Sequence, residues 1–254
     1  MGIWVIRWRS SVIIHRNDQT VSISVPDEYD RIMISVSGGA DSAMLMWIIL
    51  KYLRANSRIL KDITITTGVD TSRLHNEWNA REVFLAISEK FSEQNFIHDI
   101  FYYSKEGPKL KYHVDHEKKL KQSGIKCMYY GRTASPPKEI QQKITYKAFD
   151  QYETNMYDDK SRPDDRDVET ELKRTEIYWA DGSYESTPFD NVDKMFIANL
   201  YKEDDYMMNV VYPLTASCIS NEPDKTKSFS EPCRKCWWCQ ERYWAFGSYD
   251  GGVQ

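Results

Sequence analysis

The chain has 254 residues, 41% hydrophobic and 28% charged, enough to bury one sizeable core and carry a small appended module. Its formal net charge of −4 supplies no overall basic field for nucleic acid or an anionic membrane surface, so partners must be sought in local sites. No apolar run approaches the roughly 20 residues that span a bilayer. The start, MGIWVIRWRSSVIIH, is broken by Arg7 and Arg9, unlike a signal-peptide core, and Gly2 is followed by Ile6 where a myristoylation motif needs Ser or Thr. The expectation is a cytoplasmic protein.

In chain order, IWVIRWRSSVIIH and TVSISV alternate β-branched and aromatic residues around the turn-forming Asn17-Asp18, which predicts a β-hairpin or short sheet ended by Pro26. RIMISV predicts a short buried strand, and Asp41 to about Leu53 a helix. DITIT, NFIHDIFYY and IKCMYY predict three further strands, separated by helices over about Asn76 to Phe91 and over HVDHEKKLKQ. Strands alternating with helices imply βαβ units. The predicted fold class is therefore α/β, with a parallel twisted sheet flanked by helices. DQYETNMYDDKSRPDDRDVETE, residues 150–171, holds nine acids against three bases and reads as a mobile solvated insertion, either without a role or as a lid over the site. DKMFIANLYKE restores helical periodicity, and YPLTASC leads into a cysteine cluster.

The junction SVSGGADSAM carries the first chemistry. Gly38 and Gly39 permit positive φ and close backbone approach, so successive N–H groups can face one concavity. The following helix adds its positive end, and Ser37 and Ser42 add hydroxyls. Asp41 would repel phosphates unless a cation intervenes, and magnesium, held by a carboxylate and phosphate oxygens, suits that role. A helix cap with no ligand is the simpler alternative. The cysteines carry the second chemistry. Of five in the chain, Cys218, Cys233, Cys236 and Cys239 are clustered late as C-x14-CxxCxxC. That spacing supplies the four thiolates of a tetrahedral zinc site, shielded by Trp237 and Trp238, and an iron–sulfur cluster is the alternative. Cys127 reads as a buried strand residue.

SGGADS resembles the SGGxDS signature of the PP-loop, or N-type ATP pyrophosphatase, superfamily. The resemblance implies an adenine nucleotide alpha hydrolase-like fold and attack of an acceptor oxygen on the α-phosphate of ATP, with pyrophosphate leaving and a nucleophile displacing the adenylate. Combined with the late cysteine cluster and with TPFDNVDK, ending at Lys194, the sequence is similar to QueC, the 7-cyano-7-deazaguanine synthase family of queuosine biosynthesis. That family activates 7-carboxy-7-deazaguanine, forms the amide with ammonia and dehydrates it to the nitrile. By this resemblance Ser37, Gly38, Gly39, Asp41 and Ser42 bind ATP and Mg2+, while Cys218, Cys233, Cys236 and Cys239 bind Zn2+. Arg132, in YYGRTASPP, is the candidate base facing the α-phosphate, because ligands of open α/β sheets sit at strand C-termini; Lys194 is a second. Each has a surface or ion-paired role as its alternative. His75, in His-Asn-Glu after the second strand, is similar to a family His and is placed with the nucleotide, the alternative being a solvated helix start.

The implied organisation is a β-hairpin or short sheet over 1–28, a PP-loop ATP-binding α/β core over 29–149, an acidic mobile insertion over 150–187 and a C-terminal helical part with the zinc-binding cysteine cluster over 188–254. The family's Gly-Arg-Asn and Ser-Gly-Tyr-Pro-Asp-Cys-Arg strings are missing, and GRTASPPKE stands in the latter's place. QueC-like relatives also occur in anti-phage defence islands, where the acid is joined to an amine on a macromolecule. The expected partners are thus a small deazaguanine carboxylate, a protein acceptor and a second copy in a homodimer, with neither membrane nor nucleic acid. A tRNA sulfurtransferase or PAPS-reductase relative, and a nucleotide-sensing binding module, are the competing readings.

Overall fold

The computed structural model of the chain describes residues 4–8, 11–16, 19–71, 75–104, 109–148, 174–218, 232–234 and 236–252. The acidic segment 150–171 lies outside them. The N-terminal stretch is the expected short sheet, three-stranded and antiparallel: β1 (Trp4–Trp8), β2 (Ser11–Arg16) and β3 (Gln19–Ser24), in that order. Ile14, Val21 and Ile23 are buried, and the period-2 pattern turns these side chains inward. The sheet is tied to the main body where the Tyr129 hydroxyl donates to Ser24 O at 2.7 Å.

The main body alternates strand and helix as expected: β4 (Arg31–Ser35), α1 (Ala40–Ala55), β5 (Asp62–Asp70), α2 (His75–Glu89), β6 (Phe96–Tyr103), α3 (Lys109–Gln122), β7 (Cys127–Tyr130) and α4 (Lys138–Ala148). Residues 174–187 then add two strands that are too short for their period to be legible, β8 (Glu176–Tyr178) and β9 (Tyr184–Ser186). The six strands are ordered β6-β5-β4-β7-β9-β8; every pairing is parallel except that of β8 with β9. The fold is α/β.

Both faces of the sheet are covered, which explains the apolar run of β4. Ile32 and Ile34 join the core built from Leu45 and Ile49 of α1 and Val83 and Ile87 of α2. Met33, pointing the other way, packs with Leu120 of α3 and with Met128. Thirteen residues of α1 are buried, so this helix lies inside the protein, and its sequence is apolar nearly all round. After α5 (Lys194–Lys202) come a π-helical turn over Met207–Val211 and a 3-10 turn over Tyr212–Leu214, and then α6 (Trp237–Phe246). Among the described residues no helix is long and apolar enough to cross a membrane.

Candidate functional site

From β4 the chain steps to β5 and β6 on one side, whereas β7 and β9 lie on the other. The order reverses between β4 and β7, and the loops leaving the carboxyl ends of these two strands open the crevice where open α/β sheets take ligands. SGGADS is the first of those loops, and GRTASPP is the second.

Within the first loop only Gly38 is left-handed, with φ +81°. Gly39 is extended at φ −84° and ψ 161° and forms the N-cap of α1, so the expectation of positive φ holds for one glycine of the pair. Gly38 is further constrained by α2: a Cβ there would lie 2.8 Å from Ala80 N and from Asn79 Cβ. The hydroxyls close the loop on itself. Ser42 Oγ donates to Gly39 O at 3.1 Å, the Ser37 amide donates to Ser42 Oγ at 3.2 Å, and the Gly39 amide donates to Ser37 Oγ at 3.3 Å.

Asp41, in the first turn of α1, is buried. Its Oδ2 accepts from Lys194 Nζ at 2.6 Å and from Thr133 Oγ1 at 3.3 Å, and its Oδ1 is buried with no hydrogen-bond partner among the described residues. Lys194 opens α5 directly after Asp193, which caps that helix by accepting from the Phe196 amide. A cation in a first helical turn opposes the helix dipole; Asp41 compensates it. Glu241 of α6 is fully buried, with Oε2 3.8 Å from Lys194 Nζ. The second loop packs closely on this point, since a Cβ on Gly131 would meet Ser42 Cα at 2.7 Å.

Arg132 makes a two-pronged pair with Asp190, Nε to Oδ1 at 2.7 Å and one terminal nitrogen to Oδ2 at 2.9 Å. The Asp190 bonds hold its guanidinium above the ordinary arginine value. Its side chain is 49% exposed while that of Asp190 is 3% exposed, so the pair presents a fixed half-open cation beside the crevice. The side chain of His75, the first residue of α2, lies outside the described set.

The four late cysteines converge, with their sulfurs all within 4.8 Å of one another and Cys233 and Cys239 3.9 Å apart. Four thiolates about 2.3 Å from one tetrahedral ion stand about 3.8 Å apart, which this cluster approaches. The donor set therefore fits a single metal ion. Arg234, at φ +58°, makes the tight turn between Cys233 and Cys236. The bonds accepted by the Cys233 sulfur, first from the Cys218 thiol, hold its thiol below the ordinary range. Cys127 lies apart in β7, fully buried, and burial pushes its thiol up to about 12.

The loop and the cysteine cluster are joined by the stretch Thr215–Cys218. The Ala216 amide donates to Gly38 O at 2.9 Å, and the Asp250 carboxylate accepts from the amides of Ser217 at 2.8 Å and Cys218 at 2.6 Å. Arg242, fully buried, pairs with Asp250 at 3.2 Å and donates to Thr215 Oγ1 at 2.8 Å. The sequence reading did not single out Thr133, Asp190, Glu241, Arg242 or Asp250. Glu241 and Arg242 were open to notice as adjacent charges within a helix rich in aromatics; the others carry no local signal.

No protein-family model matches the chain, and no curated protein matches it. Among solved structures, a U34-tRNA thiolase NcsA from Methanococcus maripaludis with its [4Fe-4S] cluster is similar at 9% identity and a TM-score of 0.35, over 71% of this chain. The chain spans 56% of that protein's length.

Proposed function

We propose that the protein is an ATP-dependent enzyme that activates a carboxylate as its adenylate and passes the acyl group to a nitrogen nucleophile. The observation that carries this reading is Asp41, a buried carboxylate at the mouth of a glycine loop, with one oxygen held by Lys194 and the other without a hydrogen-bond partner among the described residues. A helix cap alone would not need a lysine brought 153 residues along the chain to meet it. Asp41 Oδ1 would hold Mg2+, which neutralises phosphate charge when bound. An oxygen of the acid attacks the α-phosphorus, the bond from that phosphorus to the bridging oxygen breaks, and pyrophosphate leaves toward the loop. The amine nitrogen then attacks the acyl carbon, AMP departs and the nitrogen loses a proton. Lys194 and Arg132 supply positive charge for the α-phosphate, and the protein's part is chiefly positioning and electrostatics.

The SGGADS, TPFDNVDK and cysteine spacings favour a deazaguanine acid of the QueC type as substrate, with zinc as the structural ion. GRTASPPKE in place of the run that frames the free base favours an amine on a protein over ammonia. A sulfur-transfer role is less well served: it needs an accessible thiol, whereas four of the five cysteines are gathered at one centre and Cys127 is buried.

The test is pyrophosphate release from ATP and Mg2+ with 7-carboxy-7-deazaguanine, followed by intact-mass analysis with ammonia or macromolecular amines present. The expected result is acid-dependent pyrophosphate that disappears in Asp41→Ala. Formation of ADP and phosphate instead, or normal turnover by Asp41→Ala, would sink the reading.

A further inference from the structure

Lys194 is the only cation recorded against Asp41 among the described residues, and it is shared. Its Nζ sits 2.6 Å from Asp41 Oδ2 and 3.8 Å from Glu241 Oε2, its own side chain 4% exposed and that of Glu241 0% exposed. The two carboxylates come from different parts of the molecule, Asp41 from the phosphate-loop helix and Glu241 from the helix that carries Cys239. A buried carboxylate is costly, and a packed apolar side chain at such a position commonly gives equal or better stability. A charge kept there asks for a role beyond holding the fold.

We propose that Glu241 is a positioning residue, a second seat that receives Lys194 when a magnesium nucleotide engages Asp41. This rests on the reading of the loop given above. In the present arrangement Lys194 lies on Asp41. Engaging Asp41 in cation binding weakens that contact, and a lysine without another partner would resist the exchange. Glu241, 3.8 Å away on a different helix, lets the ammonium shift by little and stay buried, facing the crevice. The helix bearing a metal-binding cysteine thereby contributes directly to the nucleotide site.

The experiment measures Mg·ATP affinity by titration calorimetry for the full chain with its metal bound, in wild type, Glu241→Gln, Lys194→Met and the double variant. The amide keeps the shape and removes the charge. Glu241→Gln is expected to weaken Mg·ATP binding about tenfold, with Glu241→Asp recovering part of the loss. In the Lys194→Met background the Glu241→Gln change should have under a twofold effect, because no ammonium remains to be seated. A merely structural Glu241 would weaken binding equally in both backgrounds, and that result overturns the proposal, as does unchanged affinity in Glu241→Gln. Glu241→Leu guards against a folding artefact: its melting temperature should equal or exceed that of wild type while its Mg·ATP affinity falls. Should wild type itself bind no Mg·ATP, the reading of the loop fails first and the proposal falls with it.

Discussion

The adjacent glycines of the loop allow a sharp internal comparison. In Gly38→Ala the new Cβ must sit at φ +81°, where a left-handed residue costs about 1–2 kcal/mol. It also meets Ala80 N and Asn79 Cβ at 2.8 Å. Both atoms belong to the body of α2, so the helix or the loop must give way by more than half an ångström, and overpacking of this kind costs about 1–3 kcal/mol. The sum is about 2–5 kcal/mol, equivalent to a fall in melting temperature on the order of 10 °C for a chain of this size. Gly39→Ala meets the Ser37 hydroxyl at 3.3 Å and Ala216 O at an ordinary 3.7 Å, at an allowed φ of −84°. Its strain is offset by the reduced freedom of the unfolded chain, leaving a net change within about 1 kcal/mol. Urea and thermal denaturation of both variants measure the difference, and Mg·ATP affinity should follow it, since only Gly38→Ala moves the loop. Equal destabilisation by the two alanines, or a Gly38→Ala variant as stable as wild type, would refute the steric reasoning.

Three further outcomes are expected. Arg132→Ala should cost about 1–3 kcal/mol in urea melts, because Asp190, its carboxylate 3% exposed, loses both prongs of its partner; Arg132→Lys should recover only part, as one point charge cannot restore the paired geometry. Elemental analysis of protein purified under reducing conditions should find one zinc and no iron per chain. Removing the metal by chelation should weaken Mg·ATP binding as well as stability, because Cys218 ends the stretch whose Ala216 amide bonds Gly38 O. Acid sensitivity should come partly from His98 and His116, whose ring pKa values burial lowers from the ordinary 6.5. The unfolded chain then binds more protons below pH 6.5, so stability falls as pH drops from there through the depressed folded values. His98→Gln should flatten that slope in pH-dependent urea melts, and an unchanged slope would assign it elsewhere.

The parts of the fold legible in the sequence are those whose signal is local. RIMISV followed by SGGADS and an apolar run announces a strand, a turn and a buried helix, and the alternation continues through IKCMYY. The strands β8 and β9 carry three residues each and take their identity from pairing with β7, which no local period records. The cysteine spacing was readable because four thiols that converge on one point leave short regular intervals in the chain. Asp41 and Lys194 were each readable as chemically apt, but their contact was not, because it depends on two helices presenting their first turns to each other. Arg132 was readable as a candidate base for the α-phosphate with an ion-paired role as its alternative; its clamp, Asp190, is contributed by the loop before α5 and can be identified only in three dimensions.

The connection between the two chemistries follows from that same long-range assembly. A glycine loop that rests on a backbone bond from Ala216 depends on whatever fixes Ala216. That segment is held from behind by Asp250, which accepts from the amides of Ser217 and Cys218, and Asp250 is in turn paired with the buried Arg242 of α6. Burying an arginine without such partners would be prohibitive, so Arg242, Asp250 and Thr215 form a unit in which each member justifies the others. Cys218 and Cys239 close the same unit at the cysteine cluster. Asp250→Asn tests the chain of dependence at its middle link: the amide cannot accept from both backbone groups and balance Arg242 together, so the loss should exceed that of an ordinary surface change and reach about 2–4 kcal/mol. It should also lower metal affinity and Mg·ATP affinity together, because the Asp250 carboxylate bonds to the backbone amides of Ser217 and Cys218 and to Arg242. A variant that loses stability while keeping both affinities would show that the stretch Thr215–Cys218 is held independently at its two ends, and the coupling would then have to be abandoned.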